Sequence, residues 1–236
     1  GATCLGLVAN TVGDNVVDQV MQFVQENVMK TDWRSREAGT MAFGSILEGP
    51  STTKLVPIVN SAIPFLMEFL VNSHAMVKDT TARTLGRMFE FMQGVEESII
   101  NSSNLNSIFE RLLVAMKDTP NVAEKICWAI QNLATGFEDA GATSPISPFF
   151  QNICQALLVA AEREDAADTR LRASAYEALN EVVRCSTDDT LPLVHQLVSM
   201  MLQKLASTFS MQVTSADARE KQAELQGLLC GVLQVS

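Results

Sequence analysis

The chain has 236 residues, 47% of them hydrophobic but only 6% aromatic, and a formal net charge of −10. It therefore has ample apolar material for a large core of the Leu-, Ala- and Val-rich kind made by helix-on-helix packing. Acidity this strong argues against nucleic acid, whose phosphates it would repel, and suits a basic peptide; it also serves simply to keep a protein soluble.

Residues 1–11 read as the second helix of a repeat whose first helix is missing. Residues 15–29 follow as a first helix, with Val16, Val17, Val20, Met21, Phe23, Val24 and Val28 on a broad apolar stripe. Thr31 or Asp32 caps the next helix through a side-chain oxygen, and Gly49-Pro50 stops it near Glu48. The second pair covers 53–72 and 76–93. Pro57 suits a first turn there, and Pro64 should kink the helix or open a new one. The third pair is 105–117 and 121–137, with Pro120 at the start of the latter, where its missing amide is tolerated. A longer loop with Gly141 and Pro145 precedes the fourth pair, 148–164 and 169–185. The fifth pair is 190–209 and 216–235, joined by a mostly polar linker. No strand-like alternation, low-complexity tract or domain boundary interrupts the series.

Four of these helices carry one pattern, repeated every 42 to 49 residues. Small residues align at Ala42, Thr84, Ala129 and Ala178. Large apolar residues follow at Phe43, Leu85, Ile130 and Leu179, and again at Ile46, Met88, Leu133 and Val182. Arg36, Lys78 and Arg172 form a basic column that Ala123 breaks. A period in the forties made of helix pairs marks a HEAT or armadillo array. The expected fold is all-α, a right-handed α-solenoid of HEAT repeats over 1–236, with approximate repeats 1–13 (partial), 14–50, 51–94, 103–139, 145–187 and 188–236. With no initiator Met and an opening inside a helical pattern, the chain reads as an excerpt of a longer solenoid. Such arrays offer long curved surfaces, so binding is expected rather than chemistry.

No metal or cofactor is expected. The five cysteines are scattered, with no CxxC and no histidine at ligand spacing; each lies in an apolar run as a small hydrophobe, which suits a reducing compartment. His74 sits in a turn and His195 on an amphipathic helix, 121 positions apart. Gly-rich phosphate loops, HExxH and GxSxG are all missing, so the chain is not expected to be an enzyme. No apolar run of about 18 residues lacks a polar break, so no membrane span is expected.

Candidate binding residues lie on the second helices, which line the inner wall of a HEAT array. Trp128 stands two positions after core residue Ile126, about 200° around the helix, and so points away from the core stripe. Two roles stay open: stacking on a ligand cation, or packing between adjacent repeats. Glu124, Gln131 and Asn132 share its face, and Glu177 and Glu181 hold the equivalent face one repeat on. Carboxylates recurring along a groove would hold a basic segment, though each alone is ordinary solvated surface. Trp33, at a helix start, is expected to pack on the neighbouring pair.

Longer runs are more specific. The stretch from Trp33-Arg34-Ser35-Arg36-Glu37-Ala38 through Met41-Ala42-Phe43-Gly44-Ser45-Ile46-Leu47-Glu48-Gly49-Pro50 resembles the central repeats of the importin β family. Asp79-Thr80-Thr81-Ala82 with Thr84-Leu85-Gly86-Arg87, Cys127-Trp128-Ala129, Leu171-Arg172-Ala173-Ser174-Ala175-Tyr176-Glu177 and Leu225-Gln226-Gly227-Leu228-Leu229-Cys230 are similar to further family segments, in order across nearly the whole chain. The resemblance implies a nuclear import receptor fragment, about a quarter of the protein. It would bind basic segments of the adaptor importin α, through its importin-β-binding segment, or basic nuclear cargo, on a concave acidic face. Ran GTPase and nucleoporins would be partners of the full-length protein. The location implied is cytoplasm, nucleus and nuclear pore. Two family tryptophans line this groove; one matches Trp128, and the other falls at Arg83, where a cation would repel a basic ligand unless it pairs with Glu124 or another acid. The alternative is a HEAT scaffold for a signalling or phosphatase complex, with no transport role.

Overall fold

The computed structural model describes residues 1–72, 74–95, 99–101, 103–138, 140–166, 169–211 and 215–235, without the side chains of Asn72 and Asp217. Among the described residues the regular structure is helical throughout. The α-helices are α1 (Ala2–Val12), α2 (Val17–Val28), α3 (Trp33–Ser45), α4 (Thr52–Asn72), α5 (Ala75–Phe91), α6 (Leu105–Ala115), α7 (Pro120–Thr135), α8 (Phe150–Ala161), α9 (Leu171–Arg184), α10 (Leu191–Thr208) and α11 (Ala216–Val235). Single 3-10 turns at Gly13–Val16, Ser147–Phe149 and Asp188–Thr190 lead into α2, α8 and α10. The all-α HEAT fold expected from the repeat pattern is thus present.

The helices gather into two compact units, Gly1–Gly136 and Phe137–Ser236, where the periodicity alone had marked no break. The change falls at the long connection that contains Gly141 and Pro145. In the first unit α2, α4 and α6 pair with α3, α5 and α7, and the second helices α1, α3, α5 and α7 stack in succession. In the second unit α8 pairs with α9 and α10 with α11, while α9 stacks on α11.

The aligned columns explain the stacking. Ala42, Ala129 and Ala178 are buried and so is Thr84, leaving room for close helix approach; Phe43, Leu85, Ile130 and Leu179 fill the space beside them. Asp32 caps α3 by accepting from the Ser35 amide at 3.0 Å. Gly49 has φ 107°, and a side chain there would meet the Ala9 backbone, so the stop after α3 needs glycine.

Pro57 departs from its expected place in a first turn, and for Pro64 the expectation is a kink or a new helix. Both lie inside α4, with Pro57 beyond the first turn, and Pro64 opens no new helix. Each removes an amide donor, but Leu55, Val59, Leu66 and Leu70 are fully buried along the helix. That burial against α5 and α6 outweighs the local loss. By length and composition Thr52–Val71, with mean hydropathy 1.5, could also cross a membrane. It is instead a core helix of the first unit, interrupted by Lys54, Asn60, Ser61 and Glu68.

Trp33 packs as expected on the neighbouring pair. Its ring stacks on His74 at 4.2 Å, and His74 caps α5 by accepting from the Met76 amide. Cys127, Cys154 and Cys185 are buried, whereas Cys4 and Cys230 are exposed, contrary to their reading as apolar packing groups. Burial pushes the Cys154 and Cys185 thiols up to about 12, so neither is a nucleophile near neutrality.

Candidate functional site

The position just before each small-residue column reads Met41, Arg83, Trp128 and Glu177. Every one of them escapes burial: Met41, Arg83 and Glu177 are exposed and Trp128 is half-buried. Helical geometry accounts for this, since a residue next to a buried position turns about 100° off the core stripe.

In the first unit, polar rungs tie consecutive second helices beneath this row, and they repeat with the sequence period. Thr80 donates to Glu37 at 3.1 Å, and one repeat later Lys125 pairs with Asp79 from the same relative position. Arg87 donates to the Gly44 carbonyl at 2.9 Å, and one repeat later Asn132 donates to the Gly86 carbonyl at 3.2 Å. Arg87 also reaches Glu48 at 3.3 Å. Sequence reading missed these rungs; the signal available to it was opposite charge about one repeat apart, as at Asp79 and Lys125.

Trp128 leaves the core stripe, as its 200° offset requires. Its ring lies over the backbone of α5: a Cβ added to Gly86 would fall 2.1 Å from Trp128 Cε3. The indole thus packs between adjacent repeats and still keeps part of its surface open. Glu124 lies one turn before it, half-buried and without an ion pair among the described residues. Gln131 is half-buried, and its carbonyl accepts from the Thr135 hydroxyl.

A groove of about 430 Å³ opens on this second-helix face, lined by residues of α1, α3, α5 and α7. Its charges balance: Glu37, Glu48 and Asp79 face Arg83, Arg87 and Lys125. An acidic groove is therefore not what the first unit presents here. The chain's negative charge lies elsewhere on its surface. Arg83 pairs neither with Glu124 nor with any other carboxylate among the described residues.

In the second unit Glu177 is exposed, but Glu181 is not an open acceptor. Arg184 grips it at 2.6 Å and also bridges to Glu138. The guanidinium holds the Glu138 carboxyl below the usual carboxylate range, and the two carboxylates raise Arg184 in turn. Trp128, Asn132, Glu124, Gln131 and Arg83 thus belong to the first unit, and Glu177 and Glu181 to the second. Among the described residues no three His, Cys, Asp or Glu side chains are placed to hold a metal.

Comparison with known proteins gives the face a context. A family model described as importin subunit beta-1-like, TPR repeats, matches residues 107–236, and a HEAT-like repeat model matches 33–88. Importin subunit beta-1 of Arabidopsis thaliana is 57% identical over 238 residues, covering 100% of this chain and 27% of the relative. Among solved structures, the Kap95:Nup1 complex matches with a TM-score of 0.89 at 32% identity, over 99% of this chain and 27% of the other. A structure in which Kap95p binding induces the switch loops of RanGDP to adopt the GTP-bound conformation matches with a TM-score of 0.89 at 32% identity, over 98% of this chain and 27% of the other. The chain spans about a quarter of the length of these relatives.

Proposed function

The chain belongs to the importin subunit beta-1 family, and from that premise we propose that it is part of a nuclear import receptor whose second-helix face takes a basic segment, without catalysis. The segment's source would be an importin-α-like adaptor or a basic cargo, and Ran and nucleoporins would engage the whole receptor, in keeping with the Kap95 complexes. Such a receptor moves between cytoplasm and nucleus through the pore.

The observation that carries this reading is the posture of Trp128. The indole is fixed against Gly86 yet keeps part of its surface open, so that part would meet a cation at little entropic cost. Cation–π stacking there contributes about 0.5–2 kcal/mol. Glu124, one turn away, offers the same ligand cation a carboxylate. The scaffold alternative has no support among the relatives named above.

The test is a titration of a fluorescent Lys/Arg-rich importin-β-binding segment into the chain at two salt concentrations, with Trp128→Ala alongside and melting measured for both. Salt-sensitive binding that weakens about 2- to 30-fold in a still-folded Trp128→Ala supports the reading. Binding indifferent to both salt and Trp128 contradicts it.

A further inference from the structure

We infer that the segment taken by this face carries an acidic side chain at one defined register, held by Arg83, beside the base that stacks on Trp128. The inference rests on the proposed binding of a basic segment to the second-helix face.

Three cations line the groove: Arg83, Arg87 and Lys125. Arg87 is occupied by the Gly44 carbonyl and Glu48. Lys125 is occupied by Asp79, the carboxylate one turn before Arg83 on α5 and its natural helical partner. Arg83 alone has no carboxylate among the described residues, and it is exposed at the groove. One turn after it stands Arg87, a like charge. A basic ligand residue at this point would meet a guanidinium that no carboxylate pairs with among the described residues, since Asp79 and Glu48 are engaged by Lys125 and Arg87. A carboxylate would meet an open guanidinium fork, which suits planar, two-point pairing.

Geometry then fixes the spacing. Arg83 and Trp128 hold the same place on consecutive second helices, and Trp128 rests on Gly86, within one turn of Arg83. Packed helices lie about 8–10 Å apart. An extended segment crosses that distance in about three residues, at about 3.3 Å each. A helical segment needs about five to seven, at about 1.5 Å each. The recognised pattern is therefore a base followed or preceded, at one of those two distances, by an acid. Elsewhere along a Lys/Arg-rich segment, each base replaced by an acid should only weaken binding, so a gain at a single register is distinctive.

The experiment replaces each residue of the labelled Lys/Arg-rich segment in turn by Glu and measures affinity for the intact chain, for Arg83→Ala and for Arg83→Glu, with melting checked for both variants. One register should gain about two- to fivefold with the intact chain, the scale of a partly exposed ion pair. The gain should vanish in Arg83→Ala, and Arg83→Glu should prefer the basic residue there. No favoured register, or a gain that survives Arg83→Ala, overturns the inference. If no basic segment binds at all, the reading of the face fails separately. Arg83 is then judged with a labelled Glu-rich peptide: binding lost in Arg83→Ala upholds its role as an acid receptor, and absence of binding ends it.

Discussion

Gly86 and Trp128 are fitted to each other across a repeat: a single added carbon on Gly86 would lie 2.1 Å from Cε3 of the indole. Alanine is ordinarily the better helix residue by about 1 kcal/mol. Here Gly86→Ala should lower the melting temperature, because the ring must leave its seat. In a Trp128→Ala background the same change should be neutral or stabilising. A loss of equal size in both backgrounds would show that the two residues do not touch.

Trp128→Ala itself should cost about 1–3 kcal/mol, less than the 3–5 kcal/mol of a fully buried aromatic, since part of the ring is already open. Denaturant unfolding of the purified chain gives the value. A cost near the upper figure would place the indole in the core and leave no face for a ligand.

Ala129 follows Trp128 and is fully buried. Ala129→Leu should overpack the helix contact and cost about 1–3 kcal/mol. An unchanged melting temperature would mean that α7 is rotated from the orientation described, and the outward placing of Trp128 would fall with it.

The rung between Lys125 and Asp79 joins α7 to α5, and each side chain is about 30% exposed (29% and 30%). A double-mutant cycle on this pair should return a coupling of about 0.2–1 kcal/mol, diminished by salt. A coupling indistinguishable from zero at low salt would remove the rung from the account of how the repeats are tied.

Periodicity alone made the helices legible, because buried columns such as Ala42, Thr84, Ala129 and Ala178 recur at fixed places and Gly49-Pro50 punctuates them. It also placed Trp128 off the core stripe. It could not say what lay beneath the ring, since the seat is an absence of side chain on another helix. Nor could it weigh Glu181 properly: the carboxylate is one helical turn from Arg184, and that local pair decides its charge more than its recurrence does. Pro57 misled for a related reason. Local rules count a lost hydrogen bond but not the burial of Leu55, Leu66 and Leu70 that the whole helix gains.

Several carboxyls are held below their ordinary values: Asp189 by the Thr187, Thr143 and Ser147 hydroxyls, Glu138 by Arg184, and Asp32 by the Ser35 amide. Their folded pKa lies below the unfolded one, so the folded state binds fewer protons. The stability they contribute is present above the unfolded values and is lost as pH falls from about 4.5 through the depressed folded values. Melting temperature should therefore drop over that window, and Asp189→Asn should flatten part of the drop. A chain whose melting is level on acidification would contradict these assignments.

Contact between the exposed part of the Trp128 ring and the basic segment registers directly in the indole's own signal. The chain has two tryptophans, Trp33 and Trp128. With indole-labelled protein, and Trp33→Phe to assign the resonances, the segment is titrated while both Nε1–H signals are followed. The Trp128 signal should move in step with binding while the Trp33 signal stays. Saturable binding that leaves Trp128 unmoved would contradict it.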